Sequence, residues 1–341
     1  MQHISYQKIR ESSKKWQLDI QQHQLLEKLQ WVVTEKIHGA NFSILVDKDQ
    51  VQFAKRKEML EDDEDFFGHS LLKEVLIKKA KELFLLLNSK SQNIEQINIY
   101  GELFGGAYPH PNVSVNTQVE AVQTGIYYSP NIEFSVFDIG FITTEEEELS
   151  FLDYTLLTEY CEEVGFLYCP SLLIGDYASS VNYPFRFQST IPELLGLPKL
   201  SDNLAEGIVV KPVENIWLET PKGRIRPILK FKIPEFSEDA RFQQAQKWTA
   251  SSRSPSKEAL VVNNLFLEQQ VLPLITKQRL NNAISKIGRL TKRTKNRVLE
   301  LLKEDIYEEL VESLNTDLEE HQATILEYIH ADCNNIVKKA L

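Results

Sequence analysis

The stretch "WVVTEKIHGANFSILVDKDQVQFAKR" (residues 31–56) carries the densest structural signal in this 341-residue chain. Its two β-rich runs, "NFSILVD" and "VQFAKR", flank the polar turn "KDQ", a strand–turn–strand pattern that predicts a hairpin across residues 30–57. Just ahead of it, "EKIHG" sets a lysine, a histidine and a glycine between apolar β-type runs. Read alone, Lys36 is a solvated turn charge. The alternative is a nucleophile held at the mouth of a pocket, and the rest of the chain has to choose.

Further strands are predicted at "INIYGELFG", "IEFSVFDIGFI", "EGIVVKP" and "RPILKFKI", with helical spacing over residues 69–87 and 154–165. The alternation is too irregular for a doubly wound sheet, so residues 1–236 read as an α+β domain. Polar, Ser- and Pro-containing sequence over 237–258 reads as a linker. From residue 259 to 341 strand signals vanish. "RLNNAISKIG", "KNRVLELLKEDIYEELVESL" and "HQATILEYIHADCNNIVKKAL" have helical periodicity, which predicts a smaller all-α domain.

Hydrophobic content of 42% and charged content of 26% are those of an ordinary globular chain, and no apolar run is long enough to span a bilayer. With no signal-peptide pattern at the N-terminus, an intracellular, cytoplasmic monomer without a membrane partner is expected. Cys161, Cys169 and Cys333 are odd in number and form no CxxC pair, which argues against a disulfide framework and a thiolate zinc site. The net charge of −11 argues against nucleic acid as a partner only at first sight. A polyanion reads local potential over a Debye length of about 8 Å. The segment from Lys277 to Arg297 carries eight Lys/Arg and no acid.

Five short motifs follow in order: "KIHG" (36–39), "YGELFG" (100–105), "FSVFDI" (134–139), "EGIVVKP" (206–212) and "LKFK" (229–232). Each is weak alone; together, each on a strand or its end, they are a strong signal. Lys230 and Lys232 lie two apart and share a strand face, with Phe231 on the other. Two ammoniums side by side either guard an edge strand or hold an anion. Glu102 and Glu206, flanked by glycine and apolar residues, each require a partner. Phe137 and Asp138 should face opposite ways unless the strand is bent. Glu206 and Lys211 have the same parity problem, which a turn at Gly207 would relieve.

With "EKIHGANFS", "AKR", "DFFG", "YGELFGG", "FSVFDI", "EGIVVKP", "LKFK" and "RLNNAISKIG", the chain resembles the covalent nucleotidyltransferases. Within them it resembles the phage T4 RNA ligase 2 group, which includes the RNA-editing ligases. His38 separates it from DNA ligases and mRNA guanylyltransferases, which carry Asp there. Those enzymes also end in a β-rich module rather than a helical one. A non-catalytic nucleic-acid-binding relative is the other alternative, disfavoured by the joint presence of Lys36, Glu206, Lys230 and Lys232.

The resemblance implies an antiparallel-sheet nucleotidyltransferase domain of ATP-grasp-like ligase type, followed by the helical domain. It implies an ATP-dependent RNA ligase, with Mg²⁺ or Mn²⁺, joining 3′-hydroxyl and 5′-phosphate ends of RNA, duplex or nicked. Lys36 would take AMP from ATP. A free lysine amine titrates near about 10.4, so desolvation or neighbouring cations must favour its neutral form. Lys211, Lys230, Lys232 and the metal could supply that charge. The resemblance assigns Lys230 and Lys232 to the phosphates, Glu102 to a ribose hydroxyl and Glu206 to the metal or its water. Phe137 is expected to stack on adenine, and Lys211 to sit near the nucleotide. Arg56 suits a phosphate. Glu35 and Asn41 are candidates for nucleoside and phosphate contacts, and His38 for shaping the turn or aiding pyrophosphate departure. In the helical domain, Arg279, Asp305 and Glu309 match positions the family uses. Lys286, Arg289, Lys292 and Arg293 complete the expected RNA-binding set. Thr34 and Ala40 depart from the phage protein, which has Arg and Thr there.

Overall fold

The predicted hairpin forms from β2 (Ala40–Asp47) and β3 (Val51–Lys55), but the run before it does not join them: β1 (Trp31–Glu35) belongs to another sheet. Asp47 closes the hairpin by accepting the backbone N–H groups of Asp49 and Gln50 at 2.8 and 2.9 Å, the local bond that makes Asp a turn former. This computed structural model describes residues 1–90, 93–145, 148–221, 223–236, 270–314 and 318–341. The chain divides into two compact units, Met1–Ile233 and Pro234–Leu341. The expected linker over 237–258, and the helical sequence from 259 to 269, lie outside the described residues.

In the first unit, β4 (Ile94–Ala107), β5 (Ser129–Thr143) and β6 (Ser150–Phe151) extend the hairpin into a sheet of order β3-β2-β4-β5-β6, with β7 (Leu167–Tyr168) parallel to β5. The other pairings are antiparallel. After α1 (Ile20–Lys28) comes α2 (Lys73–Lys90), which packs on β2, β3 and β4. Its buried Leu76, Ala80, Leu83 and Leu87 recur at helical spacing. α3 (Tyr154–Val164) packs on α2 and β5. Both predicted helices are therefore present, the first beginning four residues later than expected and ending three residues further on.

The second sheet has the order β12-β9-β1-β8, from β8 (Ser171–Gly175), β9 (Gly207–Pro212) and β12 (Leu229–Lys232), all antiparallel. β10 (Leu218–Thr220) and β11 (Gly223–Ile225) form a separate ribbon. One face carries Trp31, Val33, Ile208, Val210 and Leu229, packed with Leu26 of α1 and with Tyr177 and Val181 of α4 (Tyr177–Val181). Each such side chain, when fully buried, contributes about 1.5–3 kcal/mol. The alternate residues Lys211, Lys230 and Lys232 are left for the opposite face, because cross-strand partners share a side.

β4 makes the same division. Asn98, Tyr100 and Glu102 alternate onto one face, and the first two join a buried hydrogen-bond chain to the N-terminal segment. The β4–β5 register slips after Tyr100: Tyr100 opposes Asp138 while Gly101 opposes Val136, leaving Phe137 as a bulge.

The second unit is helical where described, with helices Lys277–Ile287, Lys295–Leu314, Gln322–Tyr328 and His330–Ala340. The final predicted helix is thus two. Leu280, Val298, Leu302, Ile306, Ile329 and Val337 anchor its core. Among the described residues no helix is long and apolar enough to cross a membrane. The three cysteines are buried free thiols.

Candidate active site

Residues Lys36–Gly39 carry the chain from β1 in one sheet to β2 in the other, and backbone bonds from both sides fix their path. The Lys36 N–H donates to the Gly207 carbonyl at 2.9 Å. The His38 N–H donates to the Tyr128 hydroxyl at 2.9 Å, and the Gly39 N–H to Glu102 Oε1 at 3.1 Å. A Cβ on Gly39 would stand 2.0 Å from the Leu103 carbonyl oxygen, so the position admits no side chain without displacing β4. In "KIHG" the glycine serves packing, while the lysine side chain reaches Glu206.

Glu206 gathers the cations. Its Oε2 lies 2.7 Å from Lys36 Nζ and 3.4 Å from His38 Nδ1, and its Oε1 3.2 Å from Lys232 Nζ. Its side chain is only 1% exposed, against 21% for Lys36. Burial alone would raise the Glu206 carboxyl; Lys36, Lys232 and His38 more than offset that and hold it well below the usual carboxylate range. The parity problem of "EGIVVKP" is solved at Gly207, whose φ of +151° favours glycine and whose Cβ would sit 1.8 Å from the Phe231 carbonyl oxygen. The turn brings Glu206 to Lys232, on the face that Lys211 shares.

The paired lysines of "LKFK" do share a face, and each has a carboxylate: Lys232 has Glu206, and Lys230 Nζ lies 3.7 Å from Glu11. Their mutual repulsion is relieved here by acids. Lys211 belongs to a second buried cluster. Its Nζ donates to the Phe137 carbonyl at 2.9 Å and to Asp138 Oδ1 at 3.3 Å. Asp138 Oδ2 accepts from the Tyr6 hydroxyl at 2.7 Å and faces Arg226 at 2.8 Å. Burial would raise the Asp138 carboxyl, but Arg226 and Lys211 keep it below its ordinary value, hence ionised. Burial likewise pushes the Lys211 amine down, against the pull of Asp138. Because Phe137 is the bulge residue, both it and Asp138 meet Tyr6: the Phe137 ring packs edge-on to Tyr6 at 4.9 Å.

From the larger sheet comes Glu102, opposite Asn41 in register. Arg56 follows directly after β3 and acts on the same carboxyl. Burial pushes Glu102 up to about 7; Lys36 pulls it down, Glu206 pushes it up, and the Gly39 N–H and Arg56 pull it down. Glu102, on one sheet, is thus within electrostatic reach of Lys36, Glu206 and Arg56.

Two expectations change. Glu35 does not face the cations: it lies opposite Ile208 and accepts from Ser189 Oγ at 2.6 Å, Thr190 N–H at 2.7 Å and Thr190 Oγ1 at 2.7 Å, just before α5 (Ile191–Leu194). It anchors β1 to that loop instead of offering a free nucleoside contact. Arg279 is only 3% exposed and answers Asp305 at 2.7 Å and Glu309 at 3.5 Å, while Lys286 joins Asp305 at 3.2 Å. These four tie two helices together. Arg289, Lys292 and Arg293, in the turn after Gly288, are exposed.

Tyr6, Asp138, Arg226 and Tyr128 went unassigned in the sequence. Of these, Asp138 lies in the "FSVFDI" motif and Arg226 is a charge beside Ile225, Pro227 and Ile228, whereas Tyr6 and Tyr128 carried no signal. Among the described residues no group of three or more His, Cys, Asp or Glu could hold a metal. One buried carboxylate amid lysines suits a hydrated Mg²⁺-type ion carried largely by phosphate oxygens rather than a protein cage.

A family model described as RNA ligase matches residues 29–232, and one described as T4 RNA ligase 2 C-terminal matches residues 262–339. The chain is 32% identical over 296 residues to mitochondrial RNA-editing ligase 2 of Trypanosoma brucei brucei, covering 76% of this chain and 70% of that protein. To mitochondrial RNA-editing ligase 1 of the same organism it is 28% identical over 302 residues, covering 76% of this chain and 64% of the relative. A Naegleria gruberi RNA ligase mutant solved with ATP and Mn aligns at TM-score 0.43 and 14% identity, over 72% of this chain and 59% of that one.

Proposed function

This chain belongs to the RNA ligase family, and we propose that it is an ATP-dependent ligase that joins a 3′-hydroxyl to a 5′-phosphate of RNA through an adenylate on Lys36. The observation that carries this reading is the shared carboxylate: Lys36 and Lys232 meet on buried Glu206 where the chain crosses between sheets. In the first step Lys36 gives its ammonium proton to solvent, and the neutral Nζ attacks the α-phosphorus of ATP, losing a second proton as the adduct forms. A nitrogen–phosphorus bond forms, the bond to the β-phosphate oxygen breaks, and pyrophosphate leaves. Lys230 and Lys232 exchange Glu11 and Glu206 for phosphate oxygens, and the buried Glu206, having given up both its lysines, then needs the positive charge of a bound metal. Phe137 supplies a face for adenine, a contact of roughly 1–3 kcal/mol. Asn41, Glu102 and Arg56 present polar and charged groups to the sugar and phosphates. Glu206 would hold a Mg²⁺ or Mn²⁺ ion, which supplies positive charge to the reacting phosphates when bound.

AMP then passes to the RNA 5′-phosphate, turning a poor leaving group into a good one, and the 3′-hydroxyl displaces it. Duplex or nicked RNA, held by Arg289, Lys292 and Arg293, is the proposed substrate, and a monomer the proposed working form. Incubation with α-labelled ATP and Mg²⁺ tests the reading: a labelled protein band is expected, absent in Lys36→Ala. Label persisting in that variant overturns it.

A further inference from the structure

The N-terminal segment runs between the two sheets and bonds to both. Gln2 exchanges hydrogen bonds with Gln96 of β4, both at 2.7 Å, and the Ile4 carbonyl accepts from Tyr100 at 2.8 Å. On the other sheet's side, Gln7 Nε2 donates to the Arg226 carbonyl at 3.0 Å, and the Arg10 carbonyl accepts the Lys230 N–H at 2.9 Å. Tyr6, 8% exposed, stands midway. Its hydroxyl proton is committed to Asp138, its ring meets Phe137 edge-on and Tyr100 at 5.2 Å, and Arg226 reaches the same carboxylate. Asp138 in turn holds Lys211, and Lys211 holds the Phe137 carbonyl. The loop of contacts is closed: fixing Tyr6 fixes the Phe137 ring, its backbone and the Lys211 ammonium together.

We propose that Tyr6 is a positioning residue for the nucleotide, setting the floor of the adenine pocket through Phe137, Asp138 and Lys211. The inference rests on the nucleotide role proposed above for Phe137. Tyr6 itself touches no reacting atom. Without its hydroxyl, Asp138 loses one of three partners and the bulge loses its outer brace, so the pocket must be ordered by ATP at ATP's expense. Binding should weaken while the chemistry of the bound state stays intact.

The test is Lys36 labelling as a function of ATP concentration in the full-length protein. Tyr6→Phe is expected to raise KM for ATP about tenfold, the loss of one hydrogen bond to a charged group. The rate at saturating ATP should stay within about twofold of wild type. Tyr6→Leu, which also removes the ring, should raise KM at least as far. The assays are run well below each variant's melting temperature, where the unfolded fraction is negligible, because a reversibly unfolded fraction would itself raise the apparent KM. An unchanged KM in Tyr6→Phe, or a saturating rate that falls with KM constant, assigns Tyr6 a merely structural role and overturns the proposal. Phe137→Leu in the same assay separates the premise: an unchanged KM there overturns the adenine role of Phe137, whereas a raised KM there with none in Tyr6→Phe overturns the inference alone.

Discussion

Glu102 is the titrating residue of the site. Its folded-state value of about 7 lies above the ordinary 4.5, chiefly through burial, so the folded protein binds the proton more tightly than the unfolded chain. The stability this contributes is fully present below about 4.5 and is lost as the pH rises through about 7. Glu102→Gln, which cannot ionise, is expected to flatten that decline. Urea midpoints at about pH 5 and about pH 8 should converge in the variant and differ more in wild type. Residues of this kind were readable to different depths. Glu206 and Lys232 announce themselves because their neighbours are apolar or glycine, and Lys36 because "KIHG" stands between two apolar β-type runs. Tyr6 does not, because its partner Asp138 is 132 residues away in the chain. Glu35 misleads because adjacency to Lys36 suggests a shared site, while strand alternation turns it towards the Ser189–Thr190 loop. The ion pairs of Arg279 cannot be read from its own run, which contains no acid, because Asp305 and Glu309 lie on the next helix.

At the level of elements, β9 depends on how it begins. Gly207 combines a backbone conformation costly for other residues with a carbonyl oxygen where a Cβ would go. Gly207→Ala is expected to cost about 2–4 kcal/mol in urea unfolding and to move Glu206 off Lys232, lowering the labelling rate of the folded protein. A variant with wild-type stability and labelling would show that the turn is not what places Glu206. The hairpin, β4, β5, β9 and the long helices were legible because their periodicity and turn chemistry agree. β1 was misassigned to the hairpin because no local signal says which strand an apolar run will pair with; that is settled by β8 and β9, over 130 residues later. The bulge at Phe137 showed in the sequence only as a parity problem with Asp138, since an extra residue in one strand looks like regular alternation until its partner is known.

The whole molecule pairs a net charge of −11 with an exposed basic turn at Arg289, Lys292 and Arg293 in the helical unit. Acids elsewhere keep the protein from binding polyanions indiscriminately, while the turn offers a local attraction within a Debye length. Replacing these three residues with Ala is expected to weaken RNA binding and to flatten its log–log salt dependence by up to about one unit for each phosphate left unneutralised. Lys36 labelling, which needs no RNA, should continue unchanged; binding isotherms at several salt concentrations check the slope. The crossing of the chain at Lys36–Gly39 has a last consequence. A nucleophile riding on a link between two sheets depends on their spacing. Lys36 labelling followed on a temperature ramp is therefore expected to fade before the far-ultraviolet melt begins, and labelling that persists up to the melt would show that the spacing holds.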